Sequence, residues 1–182
     1  MNTRTEKNNT AKLAKMGMML AIAVVCSFVH FPVLPGVTFI EYELSDLPLL
    51  IACLAFGPLP GVVLAACCVL LDSVIAGAGG GPHGMIMQFI AIGTFVLVAG
   101  MIYKKGKTRK AAVIGLAIGV LAMTAVMVPA NLIVTPAFMG VPIDAVKALL
   151  LPAIVPVNLI KGAISALATF LIYKKISPFL HR

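Results

Sequence analysis

Apolar residues run through this chain in long blocks, and the polar residues gather at the breaks between them. Blocks over about 14–30, 62–76, 85–103, 111–134 and 148–173 approach or exceed the ~20 residues a membrane helix needs. A further block, about 47–56, is short. Ten residues rise only ~15 Å, about half a bilayer core. Either its start is submerged, or the connection before it, "FPVLPGVTFIEYELSD", dips into the outer half of the membrane. Asp46 is placed to cap that helix, and Pro48 falls in its first turn, where proline is tolerated. Residues 1–12 are polar and basic and read as a flexible tail. The pattern predicts one integral domain over 1–182, an all-α membrane protein with six transmembrane helices. No small-residue cleavage site follows a short apolar core near the start, so no removable signal peptide is expected.

Composition agrees with the pattern. Hydrophobic residues make up 61% of the chain, charged residues 11%, and mean hydropathy is +1.10. Soluble domains average about 45–50% apolar and about 25% charged. The net charge of +8 could suggest nucleic acid, but the distribution argues against it. Twelve of the fourteen basic residues lie before the first span, in "KKGKTRK" at 104–110, or after the last span. Only Lys147 falls on the other side, and Lys161 lies within a span. The positive-inside rule therefore puts both termini in the cytoplasm. With no Trp and three Tyr, the chain also offers little for base stacking.

Several motifs carry no chemistry. "GAGGGPHG" at 77–84 lacks the Gly-Lys-Ser/Thr of a phosphate loop. Cys26, Cys53, Cys67 and Cys68 all fall in apolar blocks without ligand spacing, so neither a metal site nor a disulfide framework is expected. Three scattered histidines make no triad, and the chain reads as non-catalytic.

Ionisable groups within spans are functional candidates. Two stand out, Asp72 and Lys161. Lys161 either pairs with Asp72 or faces a water-accessible pocket. Asn158 lies three residues before it, on the same helix face. Pro156 cannot donate to the carbonyl of Pro152, which frees a backbone acceptor nearby. The 111–134 block repeats the pattern, with Pro129 freeing Ala125 and Asn131 close behind. An apolar pocket with a few fixed polar groups suits a small organic molecule. It suits an ion poorly, because one lysine repels cations. The loop "TFIEYELSD" is placed to cover the pocket. Phe39 and Tyr42 offer flat surfaces, and Glu41 and Glu43 keep the loop solvated. The candidate contacts are thus Phe39, Glu41, Tyr42, Asp72, Asn131, Asn158 and Lys161. Ala14, Gly17 and Ala21 form a small-residue stripe that lets another helix approach, within the bundle or from a partner.

"FIEYELSDLPLLIACLAFGPLPG" (39–61), "YKKGKTRK" and "LPAIVPVNLIKG" (151–162) resemble the substrate-binding S components of energy-coupling factor (ECF) vitamin transporters, most of all their riboflavin branch. The likeness covers about residues 10–176. It implies a six-helix protein of the bacterial cell membrane that captures a vitamin from outside. A transmembrane coupling subunit of the EcfT type and two ABC-type ATPases would supply the energy. The first-helix stripe, here Gly17 and Ala21, would dock the coupling subunit, and Asn131, Asn158 and Lys161 match ligand-contacting positions. The chain departs from that branch at Glu41-Tyr42-Glu43, where it carries Lys-Tyr-Asp, and at Met85 and Gln88, where it carries an acid and an Asn. Riboflavin would be the transported ligand, with no cofactor implied. Its flat ring wants apolar walls, and its pyrimidine edge and ribityl chain want a few donors and acceptors. Within the resemblance the alternative is an S component for thiamine, biotin, folate or pantothenate; from a different class it is a stand-alone ion-coupled transporter using Asp72.

Overall fold

In hydrocarbon a backbone must satisfy its own hydrogen bonds, so apolar blocks fold as helices. The computed structural model describes residues 3–34, 37–75 and 81–180, with side chains at 9–33, 42–75, 81–138, 140–173 and 175. In order along the chain come α1 (Thr3–Ser27), β1 (His30–Leu34), β2 (Val37–Glu43), α2 (Asp46–Phe56), α3 (Pro58–Ile75) and α4 (Gly81–Gly106). Then follow α5 (Arg109–Met139), α6 (Ile143–Leu149), a π-turn (Leu150–Ile154) and α7 (Val155–Leu180). Five stretches are long and apolar enough to cross a membrane: Asn9–Ser27, Pro58–Ile75, Gly81–Gly106, Arg109–Phe138 and Ile143–Tyr173. α2 is the short sixth.

Four expectations are corrected. Residues 3–12 are helical rather than a flexible tail, since no Pro or Gly interrupts the chain before Gly17. The all-α expectation misses a hairpin, in which β1 and β2 pair antiparallel with His30 opposite Glu43 and Phe31 opposite Tyr42. The β-branched and aromatic run Val37, Thr38, Phe39, Ile40 and Tyr42 favours a strand. Pro32, which has no N–H to give, sits beside the register irregularity between Pro32 and Leu34. Residues 135–139, expected as loop, extend α5 to Gly140, whose left-handed φ of 66° lets its N–H bond Pro136 O at 3.1 Å. The last span starts at Ile143 rather than near Ala148, and it widens before α7. Val155 N–H reaches back to Leu150 O, five residues away, because Pro152 and Pro156 cannot donate.

Small residues bring the helices together. A Cβ at Gly119 would lie 2.7 Å from Phe95 Cδ2, so α4 and α5 can pack this closely only with glycine there. Phe95 and Ala99 of α4 are fully buried in that seam, and Val96, equally buried, faces Gly61 of α3. Leu44 N–H donates to Val29 O at 3.1 Å and ties the hairpin's base to the end of α1. At the opposite end, the hydroxyls of Tyr103 on α4 and Tyr173 on α7 meet at 2.8 Å.

Candidate functional site: a buried polar cluster beside the hairpin

Lys161 on α7 is only 5% exposed. Its Nζ donates to Gln88 Oε1 on α4 at 3.0 Å and lies 3.7 Å from Asp46 Oδ2 at the start of α2. The Gln88 amide then faces the other way. Its Nε2 donates to Glu43 Oε2 at 2.9 Å, on the last residue of β2, and to Asp46 Oδ1 at 3.3 Å. Ser45 Oγ donates to Glu43 Oε2 at 3.2 Å. One carboxamide thus holds an ammonium on its oxygen and two carboxylates on its nitrogen. α2 rises only ~16 Å, about half a bilayer core, and its first residue, Asp46, meets Lys161 of α7.

This settles the partner of Lys161. It is Asp46, not Asp72, whose Oδ1 accepts from Ser27 Oγ at 2.6 Å and joins α3 to α1. Nor does Asp46 cap α2. Ser45 occupies that position without a side-chain cap bond, and the Asp46 oxygens are engaged by Lys161 and Gln88. Placement in the first turn still favours the negative charge through the helix dipole.

The two asparagines repeat one arrangement. Asn131 follows Pro129 by two residues, and Asn158 follows Pro156 by two. Asn131 Nδ2 donates to Met127 O at 2.8 Å, and Asn158 Nδ2 donates to Ile154 O at 2.7 Å. Each carboxamide folds back on its own helix, onto the carbonyl four residues earlier rather than onto the Ala125 and Pro152 carbonyls that the prolines free. Both are buried, at 6% and 2% exposure. Tyr42 is buried as well. Its hydroxyl accepts from Ser165 Oγ of α7 at 3.4 Å, and its ring tilts against Phe31 with centroids 5.3 Å apart. Phe39 and Glu41 lie on β2, but their side chains are outside the described residues. Ala14, Gly17 and Ala21 are exposed on α1, the least buried of the five long spans, and nothing lies within 4 Å of a Cβ built at Gly17.

Burial pushes the Glu43 carboxyl above the usual carboxylate range; Lys161 opposes this, and Asp46 and Asp72 add to it, while the Ser45 hydrogen bond lowers it. A raised carboxyl holds its proton longer in the folded state than in the unfolded chain. Its contribution to stability is therefore present at acid pH and lost as pH rises through the raised value. The expected result is a detergent-solubilised protein whose thermal midpoint falls with rising pH, and falls less steeply in Glu43→Gln. Equal slopes for the two proteins would remove Glu43 as a cause.

Sequence reasoning missed the roles of Glu43, Asp46 and Gln88. A signal existed for two of them. Gln88 is the chain's one glutamine, set inside an apolar helix. A buried lysine needs an acid, and three of the six acids lie in the 31–46 connection.

The family pattern for the substrate-specific component of ECF transporters matches residues 11–173. The riboflavin transporter RibU of Staphylococcus aureus (strain TCH60) is 30% identical over 190 residues, covering 100% of both chains. The riboflavin transporter FmnP of Bacillus subtilis (strain 168) is 32% identical over 180 residues, covering 94% of each. A solved structure of the S component of a bacterial ECF transporter superposes with a TM-score of 0.81 at 31% identity, over 96% of this chain and 99% of that one. With a transporter's relatives and apolar helices around a buried polar cluster, this multi-pass membrane protein is not an enzyme; it belongs to the family of ECF transporter substrate-specific components.

Proposed function

We propose that this chain is the high-affinity riboflavin-binding subunit of an ATP-driven ECF importer. The observation that carries the reading is the grouping of Lys161 and Asn158 on one buried face of α7, in a chain about 30% identical over its whole length to a named riboflavin transporter. The flavin ring is flat and mostly apolar, while its pyrimidine edge and ribityl chain need a few fixed partners. Asn131, Asn158 and Lys161 supply donors and acceptors, and the outer halves of the helices with the 31–46 hairpin segment form the pocket. Tyr42, Phe39, Glu41 and Asp72 complete the candidate set around it. The charge distribution supports cytoplasmic termini, and so an outward pocket, in a bacterial plasma membrane. The exposed Ala14, Gly17 and Ala21 face would dock the transmembrane coupling subunit, and two ABC-type ATPases would hydrolyse ATP.

Titrating the purified chain with riboflavin, read by quenching of flavin fluorescence, should give saturable binding of one flavin per chain. Thiamine, biotin, folate and pantothenate should not displace it. Displacement by one of them, with no response to riboflavin, would move the assignment to that vitamin. Uptake by cells should require coexpressed coupling and ATPase subunits. Uptake by the chain alone, driven by an ion gradient, would favour a stand-alone transporter.

A further inference from the structure

A line of hydrogen bonds runs from the first turn of α4 to Asn131. The left-handed Gly81 (φ 63°) and Pro82 open α4, and His83 follows them. Its Nε2 lies 3.2 Å from Thr135 Oγ1 on α5, and its ring sits 6.3 Å from that of Phe138, centroid to centroid. Thr135 Oγ1 donates to Asn131 Oδ1 at 3.3 Å, and Asn131 Nδ2 donates to Met127 O at 2.8 Å.

The direction of this line follows from its chemistry. A threonine hydroxyl has one hydrogen. Given to Asn131 Oδ1, it leaves Thr135 only lone pairs for His83, so His83 Nε2 carries a hydrogen and donates. The Asn131 carboxamide is then held at both ends. Flipping it would set its oxygen against the Met127 carbonyl oxygen, acceptor facing acceptor. Asn158 makes the same backward bond to its own helix, yet four residues beyond it stands Gly162, with no hydroxyl to give. Only Asn131, of the two, has its oxygen held by a threonine one turn on.

We propose that Thr135 and His83 are positioning residues for ligand binding: they fix the orientation of the Asn131 carboxamide, so that its remaining N–H and lone pair are offered in one order. This rests on the reading of Asn131 as a ligand contact. His83 acts through Thr135, and Thr135 acts through Asn131. Neither needs to touch the flavin.

A double-mutant cycle tests the chain of action, using riboflavin titration of the full-length purified protein. Thr135→Val should weaken binding about 3- to 10-fold, the loss expected for one hydrogen bond. Thr135→Ser, which keeps the hydroxyl, should bind nearly as the parent does. In an Asn131→Ala background, Thr135→Val should add nothing. His83→Ala, at a half-buried site, should weaken binding in the parent but not in Thr135→Val, and His83→Gln should recover part of the loss by donating from its amide. The proposal is overturned if Thr135→Val binds as tightly as the parent, or if its loss is equally large without Asn131, which would mark a packing effect. It also falls if Asn131→Ala itself binds normally. That last outcome removes the assigned contact, whereas the first two leave the contact standing and remove only its positioning. If Thr135→Val does not fold, the His83→Ala and His83→Gln pair decides by the same criteria.

Discussion

Lys161→Ala is expected to destabilise the protein by about 3–5 kcal/mol, the range for removing one partner of a buried ion pair. The reason lies in what stays behind. Asp46 is 2% exposed, and its Oδ2 loses the only cation within 4 Å among the described residues. Gln88 still donates to Glu43 and Asp46, but its Oε1 loses the ammonium that it accepts from. The same variant should weaken riboflavin binding by about 1–3 kcal/mol, the cost of leaving a buried polar group without its hydrogen bond. These two losses can be separated. In Lys161→Met with Asp46→Asn, both charges leave together and apolar volume replaces the lysine stem. Replacing a buried pair as a unit is often neutral for stability. The double variant should therefore recover most of its thermal midpoint in detergent while riboflavin affinity stays low. Recovery of both would make Lys161 purely structural, and recovery of neither would mean that the ion pair is not the source of the stability loss.

Lys161 stood out in the sequence because hydrocarbon makes any charge in a span conspicuous. Its partner was not legible. Asp46 and Asp72 are both acids on helices near the same region, and sequence spacing relates residues only within one helix. The choice between them depends on how α2 and α3 stand against α7, a matter of packing. Here Ser27 on α1 takes Asp72, and the short α2 presents Asp46 to Lys161. The spans themselves were readable, since blocks of Leu, Ile, Val and Ala announce burial in lipid whatever their neighbours. The hairpin was harder. Seven residues from Val37 to Glu43 alternate too briefly to stand out beside long helices, and the proline at Pro32 argues against a strand. The asparagines show both sides. Their position two residues after a proline is visible in the chain, but their bonds to Met127 O and Ile154 O depend on rotamers that no pattern of residue types records.

Gln88→Leu is the second large expected loss, although leucine matches glutamine closely in size and would enter an apolar helix. The carboxamide makes three hydrogen bonds to groups that carry formal charge, at 3.0 Å to Lys161, 2.9 Å to Glu43 and 3.3 Å to Asp46. A hydrogen bond to a charged group contributes about 1.5–3 kcal/mol, and bonds that share one side chain do not add fully. A total cost of about 2–4 kcal/mol is expected on those terms. Because Glu43 ends β2, the hairpin should also be held less firmly, with faster backbone amide exchange at Tyr42 and Glu43 than in the parent. Gln88→Glu sharpens the argument. It keeps an oxygen for Lys161 but removes the nitrogen that serves both acids, and it adds a third carboxyl to the cluster. While that carboxyl is protonated, its hydroxyl can stand in for one N–H. Once ionised, it repels Glu43 and Asp46. The variant should therefore approach parental stability at acid pH and fall away as pH rises, whereas Gln88→Leu, which gains no titrating group, should keep a deficit that changes little with pH beyond the parent's own slope. Thermal midpoints of the three proteins across pH decide it. If the Gln88→Glu and Gln88→Leu curves run parallel, the amide nitrogen is not what keeps the two carboxylates together.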